Sequence, residues 1–166
     1  EFKREYKYPQ GELYCASPAV SCVDTLKILY PQAQPEVVLD LAECDFGDWE
    51  NKTAEELKDE PGFPEWLMGQ GAPPNGESGQ VFFQRICRGF QLLVQNMMAR
   101  GVTPAVLVTH AGVMTSILAA FGLPKAAPQD WLCDGGFGYS VRITPGLWMR
   151  EPVMEVFARV PKLEDK

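Results

Sequence analysis

Residues 106–112 read Val-Leu-Val-Thr-His-Ala-Gly and follow Pro104. The uninterrupted apolar run predicts a strand over 105–108, covered on both faces in a parallel sheet. Thr109-His110 ends it, and a helix is predicted over 113–121, stopped at Gly122-Leu123-Pro124. A buried strand feeding directly into a helix is the unit of an open α/β sheet, whose ligands sit at the carboxyl ends of the strands. His110 stands at that edge. The amides near Ala111, Gly112 and Val113 face the same space, and a helix N-terminus favours an anionic group such as phosphate. Gly112 permits close backbone approach. His110 is the one histidine of the 166 residues. A lone histidine is commonly a hydrogen-bonded structural residue. Position favours a ligand role here, without naming a reaction.

The other segments support the same architecture. A strand is predicted over 12–15, and Ser17-Pro18 offers a capping hydroxyl and a ring preset for a helix reaching Leu29 and stopped by Pro31. Residues 37–41 read as a second, fully buried strand. Thr53 and Glu56 have capping-box spacing for a short helix. Irregular chain is expected over 63–76, with Trp66 and Leu67 as anchors and the role of a lid or binding loop, a plain surface excursion being the alternative. Ser78 caps a helix over 79–100, stopped by Gly101, with a stripe of Phe82, Ile86, Phe90 or Leu93, and Met97. Alternation at Tyr139, Val141 and Ile143, and again at Met154, Val156 and Ala158, predicts a strand pair around a turn at Pro145-Gly146. No repeat or linker divides the chain, so residues 1–166 are expected to form a single domain.

Composition narrows the partners. Fifteen Lys and Arg against 22 Asp and Glu give a net charge of -7, the wrong sign for broad attraction to nucleic acid or an anionic membrane. Neither a membrane span nor a secretory signal is evident, which points to a cytoplasmic protein. The five cysteines are scattered without Cys-x-x-Cys spacing, so they read as reduced thiols and not as a disulfide framework or zinc site; Cys44 is the candidate for a reactive one.

Two further segments carry candidate chemistry. In Leu41-Ala-Glu43-Cys-Asp45-Phe-Gly47-Asp-Trp49-Glu50, Glu43 follows an apolar run and is placed to exchange a proton with a leaving oxygen, a backbone cap being the alternative. Asp45, Asp48 and Glu50 read as a solvated acidic surface, and Phe46 and Trp49 as packing anchors. In Pro74-Asn75-Gly76-Glu77-Ser78, Ser78 is the helix cap and Glu77 supplies helix-end charge or contacts a ligand hydroxyl.

Ser17-Pro18 with Thr25, Leu41-x-Glu43-x-Asp45-Phe-Gly47-x-Trp49-Glu50, Gly76-Glu77-Ser78 and Val108-Thr109-His110-Ala111-Gly112, in that order, resemble the histidine phosphatase superfamily, also called phosphoglycerate mutase-like. The likeness covers most of the chain and lies nearer the small phosphatase branch that includes alpha-ribazole phosphatases than the glycolytic mutases. It implies a three-layer α/β/α sandwich with a mostly parallel central sheet, and phosphatase action on a small phosphorylated metabolite with neither metal nor organic cofactor. Glu43 matches the family's proton donor, and His110 matches the second pocket histidine, which supports the phosphoryl oxygens. Ser17, Ser21, Glu77, Ser78, Ala111 and Gly112 match positions near the substrate.

The departures are specific. The family's nucleophile lies in an Arg-His-Gly triplet near the amino terminus, and no such triplet occurs here. The arginine that clasps phosphate is replaced by Ser21, which has no guanidinium fork. Thr115 replaces an arginine often found after the second histidine, and Ala111 a glycine. Residues 1–18 resemble the end of the family's first helix followed by its second strand, so the expected fold lacks its first strand, and these 166 residues are expected to show no phosphohistidine turnover themselves. Two readings follow: a phosphatase whose nucleophile belongs to a longer protein, or an inactive pseudoenzyme that binds a phosphorylated ligand or protein partner. A homo-oligomer is left open. An acyl hydrolase is set aside because no Gly-x-Ser-x-Gly elbow is present.

Overall fold

The computed structural model describes residues 6–163. In chain order the elements are β1 (Tyr6–Lys7), β2 (Leu13–Ala16), α1 (Val20–Leu29), β3 (Glu36–Val37), α2 (Ala54–Leu57), α3 (Phe63–Leu67), α4 (Gly79–Arg100), β4 (Ala105–Val108), α5 (Ala111–Phe121), β5 (Gly122–Leu123), β6 (Gly138–Arg142), α6 (Pro145–Arg150), β7 (Met154–Val160) and β8 (Lys162–Leu163), with 3₁₀ turns at Leu39–Leu41, Gly47–Trp49 and Pro128–Trp131.

The parallel part of the fold is the sheet β3-β2-β4, with Leu13 opposite Ala105 and Ala16 opposite Val108. Successive strand residues face opposite sides, and the packing follows that alternation. Val106 and Val108 lie against Cys22, Leu26 and Tyr30 of the α1 layer. Leu107 faces the main core, built from Ile86, Phe90 and Val94 of α4 and Val113, Ile117 and Phe121 of α5. Helices therefore cover both faces, giving the expected layers. A second sheet, β5-β7-β6, pairs β6 with β7 antiparallel and β5 with β7 parallel, and its Tyr139, Val141 and Val156 pack against the same main core. No hydrogen-bonded pairing joins the two sheets among the described residues.

Several expectations need correction. Only Glu36–Val37 pairs as a strand, and both residues are exposed; Leu39–Leu41 is a 3₁₀ turn with Leu41 alone buried. Their neighbour β2 ends at Ala16, and after Val38 N–H donates to Ala16 O at 2.9 Å there is no further strand backbone to extend the ladder. Ser17 is not a helix cap: the N-cap of α1 is Ala19, without a side-chain bond. Residues 63–76 are not wholly irregular, because α3 forms there with proline at its start. Trp66 is half-buried as expected, but Leu67 is 64% exposed and anchors nothing. The Pro145-Gly146 turn is the start of α6, which buries Trp148. Of the helix end expected within 1–18, residues 1–5 lie outside the described residues, and Tyr6–Lys7 is a strand antiparallel to β8.

Helix α4 follows its sequence signals closely. Ser78 Oγ accepts the Val81 N–H at 3.1 Å, and Gly101 closes the helix at φ 65°. The buried stripe is Phe82, Ile86, Phe90 and Val94, so its last member is Val94 rather than Met97. All five cysteines are free. No helix of the described residues is long and apolar enough to cross a membrane.

Candidate active site

Three chain segments meet at the carboxyl end of β4. His110 is the N-cap of α5, with extended backbone (φ -92°, ψ 158°), and its carbonyl accepts the Met114 N–H at 2.9 Å. No side chain caps the first amides of the helix. The imidazole is half-buried, and its Nε2 lies 3.6 Å from Cys22 Sγ in the first turn of α1. Burial pushes the Cys22 thiol pKa up, against a hydrogen bond from Ser21, with the Glu43 charge adding to the rise. Ser17, fully buried, locks the strand ends below: its Oγ donates to Leu41 O at 2.6 Å and shares a 2.6 Å hydrogen bond with Thr109 Oγ1. Its hydroxyl holds the frame and is not turned to the open side.

Glu43 enters from the segment after the Leu39–Leu41 turn. One carboxylate oxygen, Oε1, accepts the Cys44 N–H at 3.0 Å, so the backbone-cap alternative is realised on one of its two oxygens. The same carboxylate rests on Gly112: a Cβ at that position would lie 2.9 Å from Oε1 and 3.4 Å from Oε2. Gly112 is thus the absence of a side chain that leaves room for Glu43 two residues from His110. The Glu43 carboxylate is therefore set against the first turn of α5, whose N-cap is His110 and whose first amides have no side-chain cap.

The remaining predicted residues divide by role. Ala111 and Ser21 are exposed on the first turns of α5 and α1. Ser78 serves as the α4 cap. Glu77 does not point a free carboxylate into the site: Arg85 Nε and Nη2 each reach one of its oxygens at 2.9 Å, and Oε1 also accepts the Asp45 N–H at 3.3 Å. The Arg85 hydrogen bonds hold the Glu77 carboxyl below its ordinary pKa, against the opposing effect of burial. Cys22, Arg85 and Thr109 were not singled out from the sequence as site residues. Arg85 carried no local signal, because its three carbonyl partners lie 42 to 45 positions upstream.

The segment between Asp45 and Glu77 builds a separate cap. Trp49, Leu57 and Phe63 form its own core, with Phe46 and Trp66 packed against it. Two strands of chain cross at its neck: Asp48 N–H donates to Pro74 O at 2.8 Å, and Glu77 N–H donates to Asp45 O at 2.7 Å. Gly47 takes φ 53°, and the crossing leaves no room for a side chain there or at Gly76. Asp45, Asp48 and Glu50 are exposed but tie this neck together, accepting from Gly47 N–H, Asn75 Nδ2 and Phe46 N–H respectively. Two recesses of about 310 and 350 Å³ lie elsewhere, beside Tyr14 and Tyr30 and beside Cys133 and Tyr139. No group of three or more His, Cys, Asp or Glu side chains is placed to hold a metal among the described residues.

An α/β sandwich with a histidine at a strand end, beside a carboxylate and a helix N-terminus, is an arrangement suited to phosphoryl groups. The family model for the histidine phosphatase superfamily (branch 1) matches residues 4–149, and the chain belongs to that superfamily. It is similar to the alpha-ribazole phosphatase from Shigella flexneri, with TM-score 0.73 and 20% identity, over 95% of this chain and 77% of that one. A phosphoglycerate mutase from Thermus thermophilus aligns with TM-score 0.61 and 27% identity, over 96% and 76%. A mycobacterial glucosyl-3-phosphoglycerate phosphatase, in complex with inorganic phosphate, aligns with TM-score 0.60 and 25% identity, over 90% and 76%. No curated protein matches the sequence.

Proposed function

We propose that this chain is the phosphoryl-binding portion of a phosphomonoesterase acting on a small phosphorylated metabolite. The observation that carries the reading is the half-buried imidazole of His110 above uncapped α5 amides, with the Glu43 carboxylate lodged against Gly112. Membership of the superfamily and the phosphatases among its structural relatives support it.

In this reading His110 donates an N–H to a non-bridging phosphoryl oxygen, and the α5 amides add to the stabilisation of charge on the equatorial oxygens. The attacking imidazole of the family mechanism comes from outside these 166 residues. It forms a P–N bond as the P–O bond to the alcohol breaks, and the departing oxygen takes the proton of Glu43. Glu43, now a carboxylate, removes a proton from water as the water oxygen attacks phosphorus, so that the P–N bond breaks and phosphate leaves. Ser21 offers the phosphate one hydroxyl in place of a bidentate guanidinium.

The test compares the product of the complete reading frame with the 166-residue chain, using an aryl phosphate in chelator-treated buffer. Turnover by the complete product, an acid-labile and base-stable phosphoenzyme, and no turnover by the 166 residues are expected. Rapid hydrolysis by the 166 residues alone overturns the assignment of an external nucleophile. An inert complete product that still binds phosphate overturns the enzyme in favour of a binding protein.

A further inference from the structure

Glu43 has no regular element of its own to stand on. It lies between the Leu39–Leu41 turn and the Gly47–Trp49 turn, and a carboxyl group that must meet a departing oxygen within tenths of an ångström cannot be left on a loose connection. What fixes it is a guanidinium from the neighbouring helix.

Arg85 projects from the second turn of α4 and spends its donors on the segment that carries Glu43. Its Nη1 donates to Asp40 O at 2.7 Å and to Ala42 O at 3.0 Å, and its Nη2 donates to Glu43 O at 3.3 Å. The remaining face of the fork is taken by Glu77. Glu77 is itself tied to the next stretch of the same segment, through its Oε1 to Asp45 N–H and through its own N–H to Asp45 O. One planar cation thus gathers three carbonyls on the amino side of Glu43 and at Glu43 itself, while its counter-ion holds the residue two positions beyond. The carbonyls at 40, 42 and 43 have no strand partner after the β2 ladder ends, so the guanidinium replaces the pairing that a sheet would have given.

We infer that Arg85 is the positioning residue for Glu43: it sets the backbone from which the proton-exchanging carboxylate reaches Gly112, and it touches no reacting atom itself. The inference rests on the reading of Glu43 proposed above. A lysine is no substitute, because one ammonium at the end of a flexible stem cannot span a carboxylate and three carbonyls at once. Charge alone is therefore not the function.

The signature of a misplaced proton donor is dependence on the leaving group. A dinitrophenolate departs without a proton, whereas phenolate needs one. In the complete protein, Glu43→Gln is expected to lower kcat/KM, which reports only the steps up to the phosphoenzyme, on the order of a hundredfold on phenyl phosphate and by less than about threefold on dinitrophenyl phosphate, while dephosphorylation slows equally for both. Arg85→Gln and Arg85→Lys are both expected to reproduce that split at about thirtyfold, and the double variant with Glu43→Gln is expected to be no slower than Glu43→Gln alone, since residues acting through one another are not additive. Equal losses on both esters, restoration by lysine, or additive losses in the double variant overturn the assignment of Arg85. An absent split in Glu43→Gln overturns the reading of Glu43 instead. A measurement free of turnover accompanies these in the complete protein: the ring protons of His110, identified by their loss in His110→Asn, are followed by NMR. Arg85→Gln and Glu43→Gln are expected to displace these signals alike while the melting curve stays cooperative. A displaced signal in Glu43→Gln with an unmoved one in Arg85→Gln overturns the inference.

Discussion

Replacing Gly112 by alanine is expected to separate stability from site geometry. The added Cβ meets Glu43 Oε1 at 2.9 Å, Oε2 at 3.4 Å and Cδ at 3.5 Å, and these are its three nearest neighbours. The obstacle is the far end of a flexible side chain, and it yields by swinging away. Residue 112 is the second of α5, where alanine gains up to about 1 kcal/mol of helix propensity over glycine. Moving the carboxylate costs the Cys44 N–H to Glu43 Oε1 bond, worth about 1 kcal/mol. The two nearly cancel, so the urea midpoint is expected to move by the equivalent of less than about 1 kcal/mol. Catalysis has no such compensation. With the donor displaced, kcat/KM of the complete protein on phenyl phosphate is expected to fall on the order of a hundredfold, with that on dinitrophenyl phosphate nearly unaffected. A loss of stability well above about 2 kcal/mol would mean that the site cannot relax around the methyl group. Equal losses on both esters, or none, refute the placement of Glu43 against Gly112.

Three other outcomes follow from the geometry. Glu77 is held below its ordinary pKa of 4.5 by Arg85, so its contribution to stability is present above about pH 4.5 and is lost as the pH falls through the lowered native value; Glu77→Gln should flatten acid unfolding in that window, and an unchanged profile would refute the linkage. Gly47→Ala places a Cβ on Pro74 O and 2.5 Å from Gly76 N, at φ 53°; left-handed backbone alone costs about 1–2 kcal/mol, so the cap should become sensitive to proteolysis between 46 and 76, and resistance equal to the parent would contradict the tight crossing. Burial pushes Cys15 and Cys44 up to about 11, so both should react slowly with an aromatic disulfide at pH 8 and quickly in urea, as peptide mapping would reveal.

How much of this was legible depended on whether a residue's neighbours in sequence were also its neighbours in space. Strand β4 and helix α5 were readable because an apolar run, a proline before it and a polar break after it are local facts, and His110 inherits its place from them. Helix α4 announced itself through Ser78 and Gly101 for the same reason. Residues 37–41 misled because an apolar run reports burial and not pairing, and pairing depends on where the adjacent strand stops, at Ala16. Ser17 had two uses open to it, and the bond to Leu41 O across 24 positions outcompeted the local cap. Arg85 was invisible for a related reason: a cation on a helix reads as solvated, and its three carbonyl partners lie 42 to 45 positions upstream. At Glu43 the backbone-cap reading has its counterpart in the Cys44 N–H, while the proton-donor reading belongs to the proposal above.

The crossing at Gly47 and Gly76 has a consequence for how such a protein can diversify. Because Trp49, Leu57 and Phe63 complete a small interior of their own, changes among them are compensated by each other and not by the sheet. About thirty residues held at one narrow waist can then be rewritten together while the packing of the sheet layers stays as it is.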